Sequence, residues 1–342
     1  MRYVIIGGSA AAIGCIEGVR SVDKTGEIIL ITGETEWNYS RPLISYLLEG
    51  KTTRDKMWCR PDSFFTRNGV TVKAGVLATT LDAGDRTVRL STGERLAYDR
   101  LLAATGSRPF VPPILGLETV ERTFCFQTLS DASALAEALR PESRVLILGA
   151  GLTGVKCAEG IRGLCAQIAI ADLAPRVLPA VLDDTAAAMV QARMEEKGVR
   201  FYLNDSAAAF RGNTARLQSG TELEFDVLVT AVGVRPNTQL VADAGGAVDR
   251  GILVDGRCAT TLPDVYAAGD CAQGYDAVSG EKRMLPLWPN AMLQGETAGI
   301  NMAGGKASFD RAIPMNAIGF MGLHIITAGT YDGETYVHRD GE

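Results

Sequence analysis

The sequence predicts an α/β protein built from two doubly wound, three-layer domains, and three observations carry this prediction. An apolar strand, a glycine turn and a helix follow one another at the start of the chain, and the same order returns roughly 140 residues later. In both places a second apolar strand comes next, which makes a βαβ unit and predicts a parallel sheet. Two proline-containing segments, 107–113 and 233–237, lie where the chain would cross between the domains.

The first unit carries an imperfect dinucleotide fingerprint. Its predicted elements are strand Tyr3–Ile6, helix Ala10–Val19 and strand Ile28–Thr32. In the pattern G-x-G-x-x-G, Gly7 fills the first position, Ser9 the second and Ala12 the third. Serine and alanine are small enough for a phosphate to approach the backbone, and Glu34 follows the second strand. A carboxylate there is suited to bind a ribose hydroxyl, so we expect a nucleotide site.

The second unit carries the complete fingerprint. Its predicted elements are strand Val145–Leu148, helix Val155–Leu164 and strand Ile168–Ala171. Gly149, Gly151 and Gly154 stand in full register, and Asp172 ends the next strand, near the expected distance of about 20 residues. A carboxylate there repels a 2′-phosphate and favours NAD(H) over NADP(H). Arg176 follows closely and keeps NADP(H) open as the alternative.

Composition excludes several classes of function. The net charge is −6, the pI is about 5.2 and no basic stripe occurs, so we expect no nucleic-acid partner. No apolar run approaches the roughly 18 residues that a membrane span needs, and the apolar start lacks the pattern of a signal peptide. We therefore expect no membrane partner and a cytoplasmic location.

Cysteine and histidine usage argues against disulfide and metal chemistry. The chain has seven cysteines and no C-x-x-C, which predicts mostly buried free thiols. Its two histidines, His324 and His338, both lie near the C-terminus. We therefore expect no metal site and no histidine-based catalytic triad.

Several further motifs complete a recognisable pattern. They are, in chain order, G-G-S-A-A-A (7–12), A-T-G-S-R-P (104–109), G-A-G-L-T-G (149–154), A-V-G-V-R-P-N (231–237), V-Y-A-A-G-D-C (265–271) and L-W-P-N-A-M-L-Q-G-E-T-A-G (287–299). Their order and spacing resemble those of the pyridine nucleotide–disulfide oxidoreductase family, two-domain flavoproteins that oxidise NAD(P)H. The resemblance implies two Rossmann-like domains, the first for FAD and the second for NAD(H).

The resemblance also implies domain boundaries. The FAD-binding domain would be discontinuous, with residues 1–112 and 238–305, and the NAD-binding domain would comprise residues 113–237. Residues 306–342 look like the first part of a truncated C-terminal α+β interface domain. Since relatives dimerise through that domain, a homodimer stays open.

Site residues follow from the same resemblance. FAD would be bound by Gly7, Ser9, Ala10, Ala11, Ala12, Glu34, Arg41, Ala104, Thr105, Gly106, Gly269 and Asp270. NADH would be bound by Gly149, Gly151, Leu152, Thr153, Gly154, Asp172 and Gly233. We expect Asp270 to follow a strand and precede a helix, so that it either contacts the ribityl or pyrophosphate part of FAD, caps the helix, or does both.

The stretch Y-S-R-P-L-I-S-Y-L-L-E-G (39–50) indicates the branch of the family. Disulfide reductases carry a redox-active cysteine here, whereas this stretch has none and the next cysteine is Cys59. The Y-x-R-P-x-x-S pattern resembles NADH:rubredoxin reductases, the flavin module of nitrite reductases and the ferredoxin reductases of oxygenase systems. Dithiol chemistry is therefore not expected.

Three residues are candidates for catalysis. Arg41 and Pro42 would line the flavin ring. Lys156 stands where some ferredoxin reductases have glutamate, and Tyr46 where they have lysine, so we hypothesise that Lys156 approaches the flavin and stabilises negative charge on reduced FAD. The alternative for Lys156 is a solvated helix lysine. Trp288 would either cover another edge of the ring or be a core aromatic, and no FAD contact is expected at residues 127–128.

The resulting functional prediction is an FAD-dependent NAD(P)H oxidoreductase. Hydride would pass from NADH to flavin N5, and electrons would then go to a redox-protein acceptor, namely rubredoxin, ferredoxin or a partner subunit. The alternatives are an NADH oxidase that reduces oxygen and a non-catalytic flavoprotein subunit of a larger complex.

Overall fold

The computed structural model describes residues 1–310 and 312–330 of the 342-residue chain. The first elements are β1 (Arg2–Ile6), α1 (Ala10–Val22), β2 (Glu27–Thr32), α2 (Ile44–Leu48), α3 (Asp62–Arg67), β3 (Val70–Ala74), β4 (Ala78–Asp82), β5 (Thr87–Leu90), β6 (Arg95–Ala97), β7 (Arg100–Ala103) and β8 (Ser107–Pro109). The next are β9 (Thr123–Phe124), α4 (Leu129–Ala138), β10 (Arg144–Leu148), α5 (Leu152–Ile161), β11 (Gln167–Asp172), α6 (Asp184–Glu196), β12 (Val199–Leu203), β13 (Ala207–Arg211), β14 (Thr214–Leu217), β15 (Glu222–Glu224), β16 (Val227–Thr230) and β17 (Val234–Pro236). The last are α7 (Gln239–Asp243), β18 (Ile252–Leu253), β19 (Val265–Ala267), β20 (Ala272–Tyr275), β21 (Lys282–Arg283), α8 (Trp288–Met302), β22 (Met315–Phe320) and β23 (Leu323–Ala328).

Two five-stranded parallel sheets form the framework, and their strand orders correspond. The first sheet runs β19-β7-β1-β2-β3, and the second, read in the matching direction, runs β9-β16-β10-β11-β12. Each sheet is accompanied by a three-stranded antiparallel unit, β4-β5-β6 before β7 and β13-β14-β15 before β16. The predicted α/β class with parallel sheets is confirmed, and the same unit occurs twice.

The central strands are apolar because helices and loops cover both faces of each sheet. In β1 four of five residues are buried, and in β16 all four are buried. Continuous burial of this kind is typical of strands in doubly wound sheets. The carboxyl ends of such strands therefore open onto the crevice where ligands bind in this architecture.

Helices α1 and α8 pack with their backbones in direct contact in the first unit. A Cβ atom at Gly14 or Gly18 would lie 2.1 or 2.2 Å from a carbonyl oxygen of α8. A Cβ atom at Gly295 or Gly299 would lie 2.0 or 2.2 Å from a carbonyl oxygen of α1. Because a side chain has no room at any of the four positions, these glycines set the separation of the two helices.

The two proline-containing segments pair with each other. Strands β8 and β17 form a two-stranded antiparallel ribbon, separate from the two parallel sheets. The strands of the first sheet come before β8 or after β17 in the sequence. All strands of the second sheet come between β8 and β17. The domain boundaries at residues 112, 237 and 305 stay predictions.

Two local expectations need correction or restriction. After Gly269 and Asp270 the chain enters strand β20 and not a helix, so Asp270 is not a helix N-cap. Residues Ala272–Tyr275 pair with neighbouring strands, and the expected helix begins only at Trp288. Within 306–342, strands β22 and β23 form an antiparallel hairpin, while residues 331–342, with His338, lie outside the described part.

Within residues 1–310 and 312–330, no helix has both the length and the apolar composition for crossing a bilayer. The same part of the chain holds no cluster of three or more histidine, cysteine, aspartate or glutamate side chains that could bind a metal ion. All seven cysteines are free, four of them buried.

Candidate functional site

A cavity of about 510 Å³ lies at the carboxyl edge of the first sheet. Its walls come from the turns that follow β1, β2, β7 and β19, together with parts of 41–42, 107–109, 127–128 and the start of α8. The predicted residues that line it are Gly7, Ser9, Ala10, Ala11, Glu34, Arg41, Pro42, Ala104, Thr105, Gly106, Gly269, Asp270 and Trp288. The structure thus brings together residues that are distant in sequence.

The turn after β1 presents backbone amides to this cavity. Gly7 has φ +116°, and a Cβ there would lie 2.0 Å from the Ala104 carbonyl oxygen, so only glycine fits. Ser9 is the N-cap residue of α1, but its hydroxyl makes no capping hydrogen bond. The unpaired N–H groups and the hydroxyl form a ready anion site at this helix end. Ala12 lies behind the wall, 1% exposed, in the core.

Glu34 belongs to a network that joins the cavity to helix α4. The Tyr39 hydroxyl donates to Glu34 Oε2 at 2.7 Å and accepts from the Leu129 N–H at 2.9 Å. The Arg41 guanidinium forms an ion pair with Glu34 and donates to the Gln127 carbonyl oxygen at 3.1 Å. The network holds the carboxylate at the carboxyl end of β2, in the wall of the cavity.

Asp270 is an uncommon carboxylate because it is largely removed from water. Burial raises the pKa of Asp270, and the nearby Arg41 charge and Ser107 hydroxyl oppose that shift. The preceding Gly269 N–H donates to Gln294 Oε1 of α8 at 2.8 Å, which fixes the turn. The cavity therefore contains two carboxylates, Glu34 and Asp270, and one cation, Arg41, that interacts with both.

Sequence reasoning missed part of this wall. Gln127 and Thr128 line the cavity, as do Ser107 and Asn237, although no contact was expected at 127–128. Gln127 Nε2 donates to Ser107, whereas Gln127 Oε1 is buried without a protein partner. Ser107 and Asn237 belong to the crossover segments, whereas Gln127 and Thr128 directly precede α4, so no short sequence signal pointed to the four together. In the described chain the lining contains no cysteine.

The turn after β10 has the geometry that its fingerprint predicts. Gly149 has φ +111°, and a Cβ there would lie 2.3 Å from the Ala231 carbonyl oxygen. A Cβ at Gly154 would lie 1.9 Å from the Gly149 carbonyl oxygen, so helix and strand are in close contact. Above Gly151 the space is open, and Leu152 is exposed at the uncapped start of α5. Thr153 is exposed beside it.

Asp172 is fixed at the carboxyl end of β11. Its carboxylate accepts from the Ala150 N–H at 2.5 Å and from the Ala174 N–H at 2.8 Å. Arg176 turns away from it, since its guanidinium pairs with Asp184 at 3.1 Å and donates to the Leu182 carbonyl oxygen. The carboxylate is thus held beside the fingerprint, while the neighbouring cation is engaged within its own loop.

Lys156 and Gly233 lie outside the cavity lining. Gly233 is exposed directly before β17. Lys156 forms an ion pair with the buried Glu159, donates to the Gly319 carbonyl oxygen at 3.1 Å, and lies 4.2 Å from the centre of the Tyr46 ring. The two positions compared in the sequence, 46 and 156, are therefore in contact. Lys156 is only 12% exposed and is not a solvated helix lysine.

Comparison with known proteins identifies the family to which this chain is similar. The model of the pyridine nucleotide-disulphide oxidoreductase family matches residues 1–295. The chain is 33% identical over 335 residues to NADH-dependent phenylglyoxylate dehydrogenase subunit epsilon of Aromatoleum evansii, covering 96% of this chain and 79% of that protein. It is 28% identical over 310 residues to rubredoxin-NAD(+) reductase of Pseudomonas putida, covering 89% of this chain and 80% of that protein.

The fold agrees with a solved reductase structure. The crystal structure of the covalent putidaredoxin reductase–putidaredoxin complex superposes with a TM-score of 0.90 at 25% identity, covering 98% of this chain and 82% of that chain. The family binds FAD and NAD(P)H. The chain therefore belongs to the pyridine nucleotide-disulphide oxidoreductase family and is an NAD(P)H-dependent flavin oxidoreductase of the ferredoxin and rubredoxin reductase kind.

Proposed function

We propose that the chain is an FAD-dependent NADH oxidoreductase that passes electrons to a redox-protein acceptor, namely a rubredoxin, a ferredoxin or a partner subunit. One observation carries the proposal: two parallel sheets of matching order each place a glycine turn and a carboxylate at their carboxyl edge, and a large cavity lies at the first. The names of the relatives, a rubredoxin reductase and a subunit of a larger dehydrogenase, support the acceptor class.

The cavity of the first sheet fits FAD. The amides of residues 8–11 at the start of α1 would bind the diphosphate, and Glu34 would bind the adenosine ribose. Residues 104–106, Gly269 and Asp270 would hold the part of FAD nearer the crossover. Gln127 Oε1, buried with no protein partner, supplies an acceptor for a donor group of the ligand.

The turn of the second sheet fits a nicotinamide dinucleotide. Open space above Gly151 lets a diphosphate approach the uncapped end of α5, and Asp172 would bind the adenosine ribose. The engagement of Arg176 with Asp184 supports NADH over NADPH, because the cation that follows Asp172 most closely in the sequence already has a carboxylate partner. Gly233 would face the nicotinamide half.

FAD, when bound, supplies hydride acceptance from the nicotinamide and the onward transfer of electrons singly or in pairs. The residues of the chain would orient the two cofactors, exclude water from between them and set the charge around the flavin ring. Arg41 and Pro42 would lie along the ring system, with Trp288 at another edge. Lys156 would act on the flavin only as part of its ion pair with Glu159, since the buried carboxylate balances its charge.

An anaerobic titration followed by an acceptor screen tests the proposal. The purified protein should carry flavin absorbance that NADH bleaches, and air-free addition of rubredoxin, ferredoxin or a quinone should restore it. Reduction of a redox protein much faster than of oxygen supports the proposed acceptor class. Faster reoxidation by oxygen would favour the NADH oxidase alternative, and a spectrum that NADH leaves unchanged would contradict the proposal.

A further inference from the structure

The ribbon of β8 and β17 places two arginines side by side. In its antiparallel register Arg235 lies opposite Arg108. Directly opposed residues of an antiparallel pair project their side chains to the same face, and like charges there are destabilising. The ribbon is fixed in this register because the Thr105 hydroxyl donates to the Asn237 carbonyl oxygen at 2.6 Å and the Asn237 N–H donates to Gly106.

Neither arginine meets a carboxylate within residues 1–310 and 312–330. Arg108 donates to Asn237 Oδ1 at 3.0 Å, and Arg235 lies 4.2 Å from the centre of the Phe110 ring and donates to the Val234 carbonyl oxygen. The two guanidinium groups thus extend in opposite diagonal directions. Residues 104–117 and 227–242 contain no acidic side chain at all, so no local anion balances the pair.

This arrangement differs from that of many other surface arginines in the chain. Arg54 pairs with Glu36 at 3.0 Å, and Arg60 pairs with Glu17 at 2.8 Å. In a protein of net charge −6, two adjacent exposed cations without a carboxylate make a distinct positive surface. An anionic group from outside the chain would relieve their repulsion.

The surroundings of the pair suit a protein partner. Val111 and Val234 on the same segments are 47% and 37% exposed. Arginine beside exposed apolar groups is a common composition of protein interfaces. Arg108 and Pro109 also line the cavity that we propose for FAD, so a molecule bound to the ribbon would lie next to that cavity.

We propose that the β8–β17 ribbon, through Arg108 and Arg235, docks an acidic face of the electron-accepting redox protein. The inference rests on the proposed function, because it names the surface that the acceptor uses. Charges at such a surface chiefly raise the association rate and fix the orientation of the partner. Since these charges face solvent, their effect should weaken as salt screens them.

Substitutions at Arg235 test this, because Arg235 does not line the cavity. The variants are Arg235→Lys, Arg235→Gln and Arg235→Glu, with Arg216→Gln and Arg216→Glu as matched controls. Arg216 is exposed, lies on β14, and makes no ion pair within the described residues. The probes are a rubredoxin and a ferredoxin of negative net charge, and menadione as a neutral acceptor, with the rate of flavin bleaching by NADH measured separately.

The effect should follow the charge at position 235. We expect the KM for the redox protein to stay near the wild-type value in Arg235→Lys, to rise about threefold in Arg235→Gln and about tenfold in Arg235→Glu. Its dependence on ionic strength should flatten in Arg235→Gln. Menadione reduction, bleaching by NADH and both Arg216 variants should change less than twofold.

Three results would overturn the inference. Equal effects at Arg216 would indicate overall charge and not this surface. A higher KM for NADH with every acceptor would indicate that the pair binds the dinucleotide. A wild-type protein that reduces menadione but neither redox protein would reject the docking surface while leaving the NADH-oxidising step intact. By contrast, absence of bleaching by NADH would reject the proposed function itself.

Discussion

The hydroxyl of Tyr39 offers a direct test of the network that joins the cavity to α4. Tyr39 is 3% exposed, and its single oxygen donates to Glu34 Oε2 and accepts from the Leu129 N–H, with a longer contact of 3.3 Å from the Arg41 guanidinium. The change Tyr39→Phe removes that oxygen and keeps the ring. It leaves a buried N–H without an acceptor and takes one donor from a carboxylate.

The expected magnitude follows from those two losses. A buried polar group left unsatisfied costs about 1–3 kcal/mol, and a hydrogen bond to a charged group contributes about 1.5–3 kcal/mol. Because Arg41 still pairs with Glu34, we expect the total loss in free energy of unfolding to be about 2–3 kcal/mol. The dissociation of FAD should also become faster, since Glu34 loses one of the groups that orient it.

Tyr98 supplies a matched control. It is also 3% exposed, but its hydroxyl has no protein hydrogen-bond partner in the described chain. Removing an unpaired buried hydroxyl is expected to be neutral or stabilising, so Tyr98→Phe should not lower stability. Urea unfolding of both variants with FAD present measures the difference, and equal stability of the two variants would refute the role of Tyr39.

Two further predictions concern packing and pH. Gly295→Ala places a Cβ 2.0 Å from the Ala11 carbonyl oxygen and should lower the free energy of unfolding in urea by about 1–3 kcal/mol. Gly163→Ala is the control, because a Cβ there meets no atom within 4 Å, and it should leave stability unchanged. Equal stabilities of the two variants would contradict the close contact of α1 and α8. Burial raises the pKa of Asp270 above its ordinary 3.8, so the folded chain binds the carboxyl proton more tightly than the unfolded chain does. The folded chain therefore loses stability as the pH rises from 3.8 through the raised pKa. Asp270→Asn should therefore raise the free energy of unfolding of the FAD-free protein at neutral pH, and this gain over wild type should vanish towards pH 3.8. A difference between variant and wild type that is the same at about pH 4 and about pH 7 would contradict the prediction.

The repeated fold was predictable because its signals are local. Strand β1, Gly7 and helix α1 follow one another within residues 2–22, and the apolar strands need only burial on both faces. The intact fingerprint at 149–154 likewise depends on a few adjacent residues. The carboxylates Glu34 and Asp172 were predictable because they follow strands at a fixed place in the unit.

Other features depend on contacts between distant segments, and the sequence carries no short signal for them. The expectation of a helix after Asp270 was wrong because residues 272–275 pair with β18 and β21 instead. Gln127, which directly precedes α4, reaches the cavity beside Ser107 of the first crossover segment. The contact of Lys156 with Gly319 likewise follows from packing against the hairpin of β22 and β23, whereas its ion pair with Glu159 lies within α5.

The central claim is that the first site holds FAD and the second NADH, and two variants compared in one measurement test it most directly. The FAD content per chain and the NADH concentration for half-bleaching are measured for Glu34→Gln and Asp172→Asn. We predict that Glu34→Gln loses FAD on dialysis, while Asp172→Asn keeps FAD and needs about tenfold more NADH, as expected for a lost charged hydrogen bond. Loss of FAD from Asp172→Asn with full retention in Glu34→Gln would contradict the assignment of the two sites.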